Sequence, residues 1–229
     1  MSIRIRALQG PAEMAALSEC FTAIWSFTDA QVLPKELFVG GEIAGHQVLG
    51  AFDGSRMVGG SWGFLTWDGR TLGLHSHITG VLPAYRGGGG YALKMAQRDW
   101  CLERAIDTVT WTFDPMIARN AAFNLRKLGA VGVAFLPDFY GPMSDAFNAG
   151  EPTDRIEVVW DLRASPRRAP PEDAEAVPIP ADYLALRETD PAAAGAARMR
   201  AAERMRVLFE SGRRAVWFDR DHGYLFARD

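Results

Sequence analysis

The run from Leu74 to Gly129 constrains the fold more than any other part of the chain. It reads as an apolar strand (Leu74-His75-Ser76-His77-Ile78-Thr79-Gly80-Val81), a turn (Leu82-Pro83-Ala84-Tyr85), a basic glycine loop (Arg86-Gly87-Gly88-Gly89-Gly90) and then a long helix. Glycines let successive N–H groups turn toward one point, and a helix N-terminus with an arginine ahead of it favours an anion. The pattern predicts a loop that holds a phosphate or pyrophosphate, and so a ligand that carries a nucleotide.

Three kinds of glycine loop fit that description. A P-loop ends in Gly-Lys-Ser/Thr, whereas Gly90 is followed by Tyr91 and Ala92. A dinucleotide loop needs an acidic residue closing the next strand, and none stands between Thr108 and Thr112. What remains is Arg-x-x-Gly after a strand ending in Val81-Leu82-Pro83, which resembles the pyrophosphate loop of the GNAT superfamily of CoA-dependent N-acyltransferases. The resemblance continues through Val109-Thr110-Trp111-Thr112-Phe113, the helix from Ala118 to Leu128 and the strand start Gly129-Ala130-Val131. It covers residues 1 to 162. The longer runs Trp111-Thr112-Phe113-Asp114-Pro115, Phe123-Asn124-Leu125-Arg126-Lys127-Leu128-Gly129, Phe139-Tyr140-Gly141 and Thr153-Asp154-Arg155 are similar to one bacterial branch of predicted acyltransferases, some partnered with N-acylamino-acid racemases.

This resemblance implies acetyl-CoA or succinyl-CoA as co-substrate, a small-molecule amine as acceptor with an amino acid favoured by the branch, and direct transfer without a covalent enzyme intermediate. It places oxyanion contacts at the backbone of Thr79, Gly80 and Val81. Arg86, the Gly87, Gly88, Gly89 and Gly90 amides and Tyr91 fall at the pyrophosphate, and Asn120 and Asn124, four apart on one helix face, beside the CoA arm. Two departures stand out. The superfamily loop closes on Gly or Ala where this chain has Tyr91, as if the turn were one residue short. The tyrosine that many members use as acid for the departing thiolate falls on Leu125.

Other residues can carry the proton chemistry. His75 and His77 lie two apart on a strand, so their side chains should leave one face together with Thr79. A near-neutral His77 could relay the amine proton, the alternative being a hydrogen-bonded core histidine. Tyr140 is the candidate acid in place of Leu125, or a packing tyrosine before a glycine turn. Asp114 before Pro115 reads first as a helix cap and only second as a base, and Gly80 is either a β-bulge glycine or one demanded by the ligand. Arg119, Arg126 and Arg155 read first as solvated or paired arginines and second as candidates for a carboxylate on donor or acceptor, and Arg198, Arg200, Arg204 and Arg206 read as a solvated helix face before a phosphate or partner contact. Cys20 and Cys101 lack metal-ligand spacing and read as buried thiols, and no metal is expected.

At 229 residues, 48% hydrophobic and 23% charged, the chain is an ordinary globular one, and a net charge of −3 offers no general attraction for nucleic acid. No apolar run approaches the roughly 20 residues of a membrane span, and the start Met-Ser-Ile-Arg-Ile-Arg lacks the apolar stretch of a signal peptide, so a cytoplasmic location is expected. Strands are predicted over Ile3 to Leu8, Val48 to Phe52, Met57 to Trp67, Leu72 to Val81, Val131 to Leu136 and Ile156 to Trp160. Helices are predicted over Pro11 to Trp25, after the glycine loop with an apolar stripe of Leu93, Ala96, Trp100 and Cys101, and from Asp190-Pro191 to near Gly212. A glycine-rich connection precedes Val48. The class is α/β (or α+β): a GNAT-like mixed twisted sheet flanked by helices. Its division is a core over 1–162, a Pro/Ala-rich linker over 163–182 and a helix plus β-hairpin extension over 183–229, docking on the core or completing a homodimer. An acyl-CoA-binding module without catalysis is the alternative function.

Overall fold

Alternating apolar residues in the N-terminal half build an antiparallel sheet. In the computed structural model, which describes residues 3–27, 31–143 and 150–228, the strands are β1 (Arg4–Ala7), β2 (Gln47–Asp53), β3 (Arg56–Trp67) and β4 (Leu72–Val81), in the order β1-β2-β3-β4. Each pairs antiparallel with the next. The β2–β3 hairpin turns at Gly54, whose φ of 61° lies in the left-handed region that a two-residue turn requires. Helix α1 (Gly10–Trp25) and helix α2 (Lys35–Ile43) cover one face, where Met14, Leu17, Phe21, Ile24 and Phe38 pack with Val48, Phe52 and Trp62. Helix α3 (Gly89–Leu102) belongs to the other face, where Leu93 packs with Leu49, Ala51, Val58 and Val81. Helix α2 replaces the expected glycine-rich connection. Phe38 inserts edge-on against Phe21 and Trp62, and that burial outweighs the helix penalty of Gly40 and Gly41.

The chain divides into two compact units, the first ending at Val109 and the second beginning at Thr110. The second has the strand order β5-β7-β6-β9-β10-β8, where β5 is Thr108–Phe113, β6 Val131–Leu136, β7 Arg155–Asp161, β8 Glu175–Val177, β9 Arg214–Asp219 and β10 Gly223–Ala227. β6 pairs antiparallel with β7 and with β9, and β10 lies between β9 and β8. Strand β8 falls inside the expected linker. It is a three-residue edge, which its Pro- and Ala-rich surroundings concealed.

Helix α4 (Ala118–Ala121) runs into a π-helical turn, Ala122–Lys127, before Gly129 at φ 76° ends it. Asp114 does not cap this helix. The N-cap is Ile117, and the Asp114 carboxylate instead accepts the Met116 N–H at 2.8 Å in a local turn. Helix α5 (Tyr183–Thr189) and the 20-residue helix α6 (Pro191–Glu210) follow, α6 opening on Asp190, whose side chain accepts from Ala193 N–H at 2.9 Å. Of the extension's apolar residues Met205, Leu208, Trp217 and Phe226 are buried and Phe209 lies edge-on to Phe226, whereas Met199 and Val207 on α6 are exposed.

Candidate functional site

Strand β4 contains one residue more than β3 can pair. Gly63 faces Ser76 and Trp62 faces Ile78, so His77 is the extra residue of a β-bulge. The bulge shifts the side-chain alternation by one. Thr79 therefore does not share a face with the two histidines, as a regular strand would require, but joins Ser76. Gly80 pairs in ordinary register with Gly60 and is not the bulge glycine. Its missing Cβ has another reason, since a Cβ there would lie 2.4 Å from the Trp25 ring.

His77 reaches solvent, with its ring 5.5 Å from Trp62 and 5.1 Å from Phe64, and His75 lies 6.3 Å from it. Desolvation by these neighbours lowers the pKa of His77. His75 is lowered too, by burial first and then by His77 and Lys94. Both imidazoles are consequently neutral near pH 7, each with a ring nitrogen able to accept a proton.

Behind the bulge runs a buried polar seam that the sequence reading passed over. Lys94 Nζ donates to Ser76 Oγ at 2.9 Å and to Gln97 Oε1 at 3.0 Å. Gln97 Nε2 reaches Gln47 Oε1 at 2.7 Å, Ser76 Oγ at 3.1 Å and Ser61 Oγ at 3.3 Å, and Thr79 Oγ1 lies 2.8 Å from Ser61 Oγ. Burial lowers the Lys94 pKa to about 7. The inward stripe of α3 is thus Leu93, Lys94, Gln97 and Cys101, with Ala96 and Trp100 only half-buried. Two long polar side chains beside the apolar stripe were the available signal. Cys20 and Cys101 are buried free thiols, pushed up by burial to about 11 and about 12.

After β4 comes a one-turn 3-10 helix, Pro83–Tyr85, anchored by Tyr85 O–H donating to Asp53 at 2.8 Å. Arg86 is exposed, as are Gly87, Gly88 and Tyr91. A Cβ at Gly87, Gly88 or Gly90 would meet nothing within 4 Å, so these three open onto free space at the start of α3. Gly89 differs. A Cβ there would press on Val81 Cγ1 at 3.1 Å and Ile3 Cδ1 at 3.2 Å, which makes it a packing glycine inside the turn.

The remaining candidates belong to the second unit. Tyr140 is exposed, its phenol oxygen 3.2 Å from Thr112 Oγ1. Asn124 is buried and Asn120 exposed. The π-helical turn begins between them, so the regular four-residue spacing that would have aligned them does not hold. Leu125 is buried. Asp114 pairs with Arg198 at 3.1 Å, which removes it as a free base. Arg155 is buried against the Tyr140 ring, Arg126 lies over Trp217, and Arg119 is exposed. Of the α6 arginines, Arg198 is 5% exposed and not part of a solvated face, whereas Arg204 and Arg206 pair with Glu175 and with Glu203 and Glu210 near the surface. Among the described residues no three His, Cys, Asp or Glu side chains cluster as a metal site, and no helix is long and apolar enough to cross a membrane.

No family model and no curated sequence matches the chain. Solved structures do. A GNAT-family protein of Desulfovibrio desulfuricans superposes with a TM-score of 0.58 at 16% identity, covering 70% of this chain and 99% of its own. The ribosomal-protein-S18-alanine N-acetyltransferase of Escherichia coli gives 0.58 at 15%, over 73% and 99%. The Salmonella typhimurium protein yncA, solved with acetyl-CoA, gives 0.56 at 18%, over 74% and 100%. The chain has the GNAT fold. In that fold β4, the glycine loop and α3 form the unit that the sequence singled out.

Proposed function

We propose that the chain is a CoA-dependent N-acyltransferase that moves an acetyl or succinyl group to the amine of a small molecule, with an amino acid as the favoured acceptor. One observation carries the reading. A strand of a GNAT-type fold, bulged at His77, runs through Thr79, Gly80 and Val81 into a glycine loop that is open to solvent at Gly87, Gly88 and Gly90. The cradle fits a pyrophosphate, since N–H groups without side chains in the way can approach it closely and Arg86 adds a fork of donors. Bound there, acyl-CoA supplies an activated acyl group as a thioester.

The chain's own residues then have separable tasks. The Thr79, Gly80 and Val81 backbone orients the acyl carbonyl, and neutral His77 accepts the proton that the acceptor ammonium must lose, directly or through water. The Tyr140 O–H gives its proton to the departing sulfur and recovers one from water. Asn120 is exposed for the CoA arm, whereas buried Asn124 offers it less. Buried thiols at Cys20 and Cys101 suit a reducing cytoplasm. The division into core, linker and extension, with a homodimer as one assembly, belongs to the same proposal. Fold neighbours cover 70–74% of the chain, a share that leaves room for an addition to the fold of this size.

The acceptor is left open by the fold, since solved neighbours are named for a ribosomal-protein alanine and for an aminoglycoside. CoA, but not ATP or NAD, should raise the melting temperature, and an amine panel with acetyl-CoA and succinyl-CoA should then show turnover. Stabilisation by CoA with every amine silent would favour the non-catalytic binder, the reading to which buried Leu125 lends support.

Gly88→Val should weaken CoA binding about tenfold or more, at least ~1.4 kcal/mol, while the melting temperature of the free protein stays put. Titration calorimetry checks the affinity and a thermal scan the melting temperature, and parental affinity in the folded variant removes the loop from the site. Arg86→Ala should lose less, because one charge goes and the cradle remains. His77→Gln and Tyr140→Phe should each lower turnover by about 10²-fold at unchanged KM for acyl-CoA, as expected for a positioned base and acid. Parental kcat in both would leave the proton path to water and backbone groups.

A further inference from the structure

Three residues hold Tyr140. Thr112 Oγ1 lies 3.2 Å from its phenol oxygen, Thr153 Oγ1 accepts its backbone N–H at 2.9 Å, and the Arg155 guanidinium sits 5.3 Å from its ring. All three stand within two residues of a carboxylate bound by Arg198. Thr112 is two before Asp114, and Thr153 and Arg155 flank Asp154. Arg198 Nη2 reaches Asp114 Oδ2 at 3.1 Å, Nε reaches Glu151 Oε2 at 2.9 Å and Tyr183 Oη at 3.1 Å, and Nη1 stands 3.6 Å from Asp154 Oδ2. The Asp154 carboxylate also accepts the Asp138 N–H at 3.2 Å, and its carbonyl accepts from Arg155 Nη1 at 2.8 Å. One buried guanidinium on α6 therefore ties the end of β5 to both sides of the turn that carries Tyr140.

We propose that Arg198 is the positioning residue for Tyr140: it fixes the two backbone segments whose Thr112, Thr153 and Arg155 aim the phenol, and through it the C-terminal extension is part of the acyl-transfer machinery. The inference rests on the reading of Tyr140 as proton donor. A planar fork suits the task because its donors diverge in fixed directions toward separate carboxylates, which a lysine ammonium on a flexible stem cannot reproduce. Of the other α6 arginines, Arg204 pairs with Glu175 and Arg206 with Glu203 and Glu210 near the surface, and Arg200 is exposed.

The test uses the full chain. Arg198→Lys keeps a cation among the three carboxylates and so keeps the fold, Asp154→Asn breaks the same linkage from its other end, and Arg206→Ala on the exposed face is the control. In a protein with 13C-labelled tyrosine rings, the signal assigned by its loss in Tyr140→Phe should shift in both linkage variants and stay in the control. kcat should fall about tenfold to 10²-fold in both at constant KM for acyl-CoA, as a misplaced group implies. Added to Tyr140→Phe, Arg198→Lys should cost nothing further. An unmoved Tyr140 signal, or an equal loss of kcat with and without the phenol, would overturn the assignment. A parental rate in Tyr140→Phe alone would instead sink the proton-donor reading, with the ring signal still deciding what Arg198 holds.

Discussion

Replacing Lys94 with methionine should stabilise the folded chain at pH 7 and remove most of the rise in its stability between pH 7 and pH 9. In the fold the Lys94 pKa lies at about 7 against an ordinary 10.5, with burial as the main cause. The unfolded chain therefore holds more protons than the folded one across that window, so stability climbs as pH rises through it and is lowest once the buried amine is protonated. The depression is worth on the order of 4–5 kcal/mol in full, and about 2 kcal/mol of it is recovered between pH 7 and pH 9. Methionine removes the titration but leaves Gln97 Oε1 without its donor, a cost of about 1–3 kcal/mol, so the net gain at pH 7 should be about 2 kcal/mol. Urea unfolding at the two pH values reads both quantities. A parental slope in Lys94→Met would mean that water or relaxation keeps the ammonium comfortable. From about pH 8 upward Cys20 and Cys101, held protonated in the fold, bring a slope of opposite sign that parent and variant share, so the difference between the two chains is what reads Lys94.

The second large effect is expected from truncation after Leu162. Within the second unit, β6 would lose its β9 partner and Pro115 O would lose the Tyr224 hydroxyl that donates to it at 2.8 Å. Asp114, Glu151 and Asp154 would lose Arg198 together. Removing the cation from a buried carboxylate group typically costs about 3–5 kcal/mol, and the uncovered strand edge is a template for aggregation. The shortened chain should be insoluble, or should melt without cooperativity in calorimetry. A soluble fragment with the parental melting temperature would show the extension to be an appendage.

Long runs with one dominant period are legible in the sequence alone. The strand from Leu72 to Val81, the hairpin across Asp53 and Gly54 and the helix opened by Asp190 and Pro191 all stand where their residues suggested. What escaped depends on partners distant in sequence. Helix α2 needs the Phe38 contacts to offset its glycines, and β8 is a strand only because β10 offers it an edge. The bulge at His77 is invisible until β3 supplies the register, and with it went the expected alignment of Thr79 with the histidines. Arg198 looked like its neighbours on α6 because a single helix does not say which side will meet three carboxylates.

An unpaired residue in a strand is also a position of unusual freedom. His77 has no opposite number on β3, so its side chain can be exchanged without disturbing a backbone-paired position, whereas Trp62 and Ile78, the pair next to the bulge, are bound to each other's size. Chemistry at position 77 can thus change faster than the frame around it. A saturation library there should contain mostly folded proteins, few of which keep the parental turnover, while deletion of the one residue would return β4 to strict alternation with the flanking pairs Gly63–Ser76 and Trp62–Ile78 still in register.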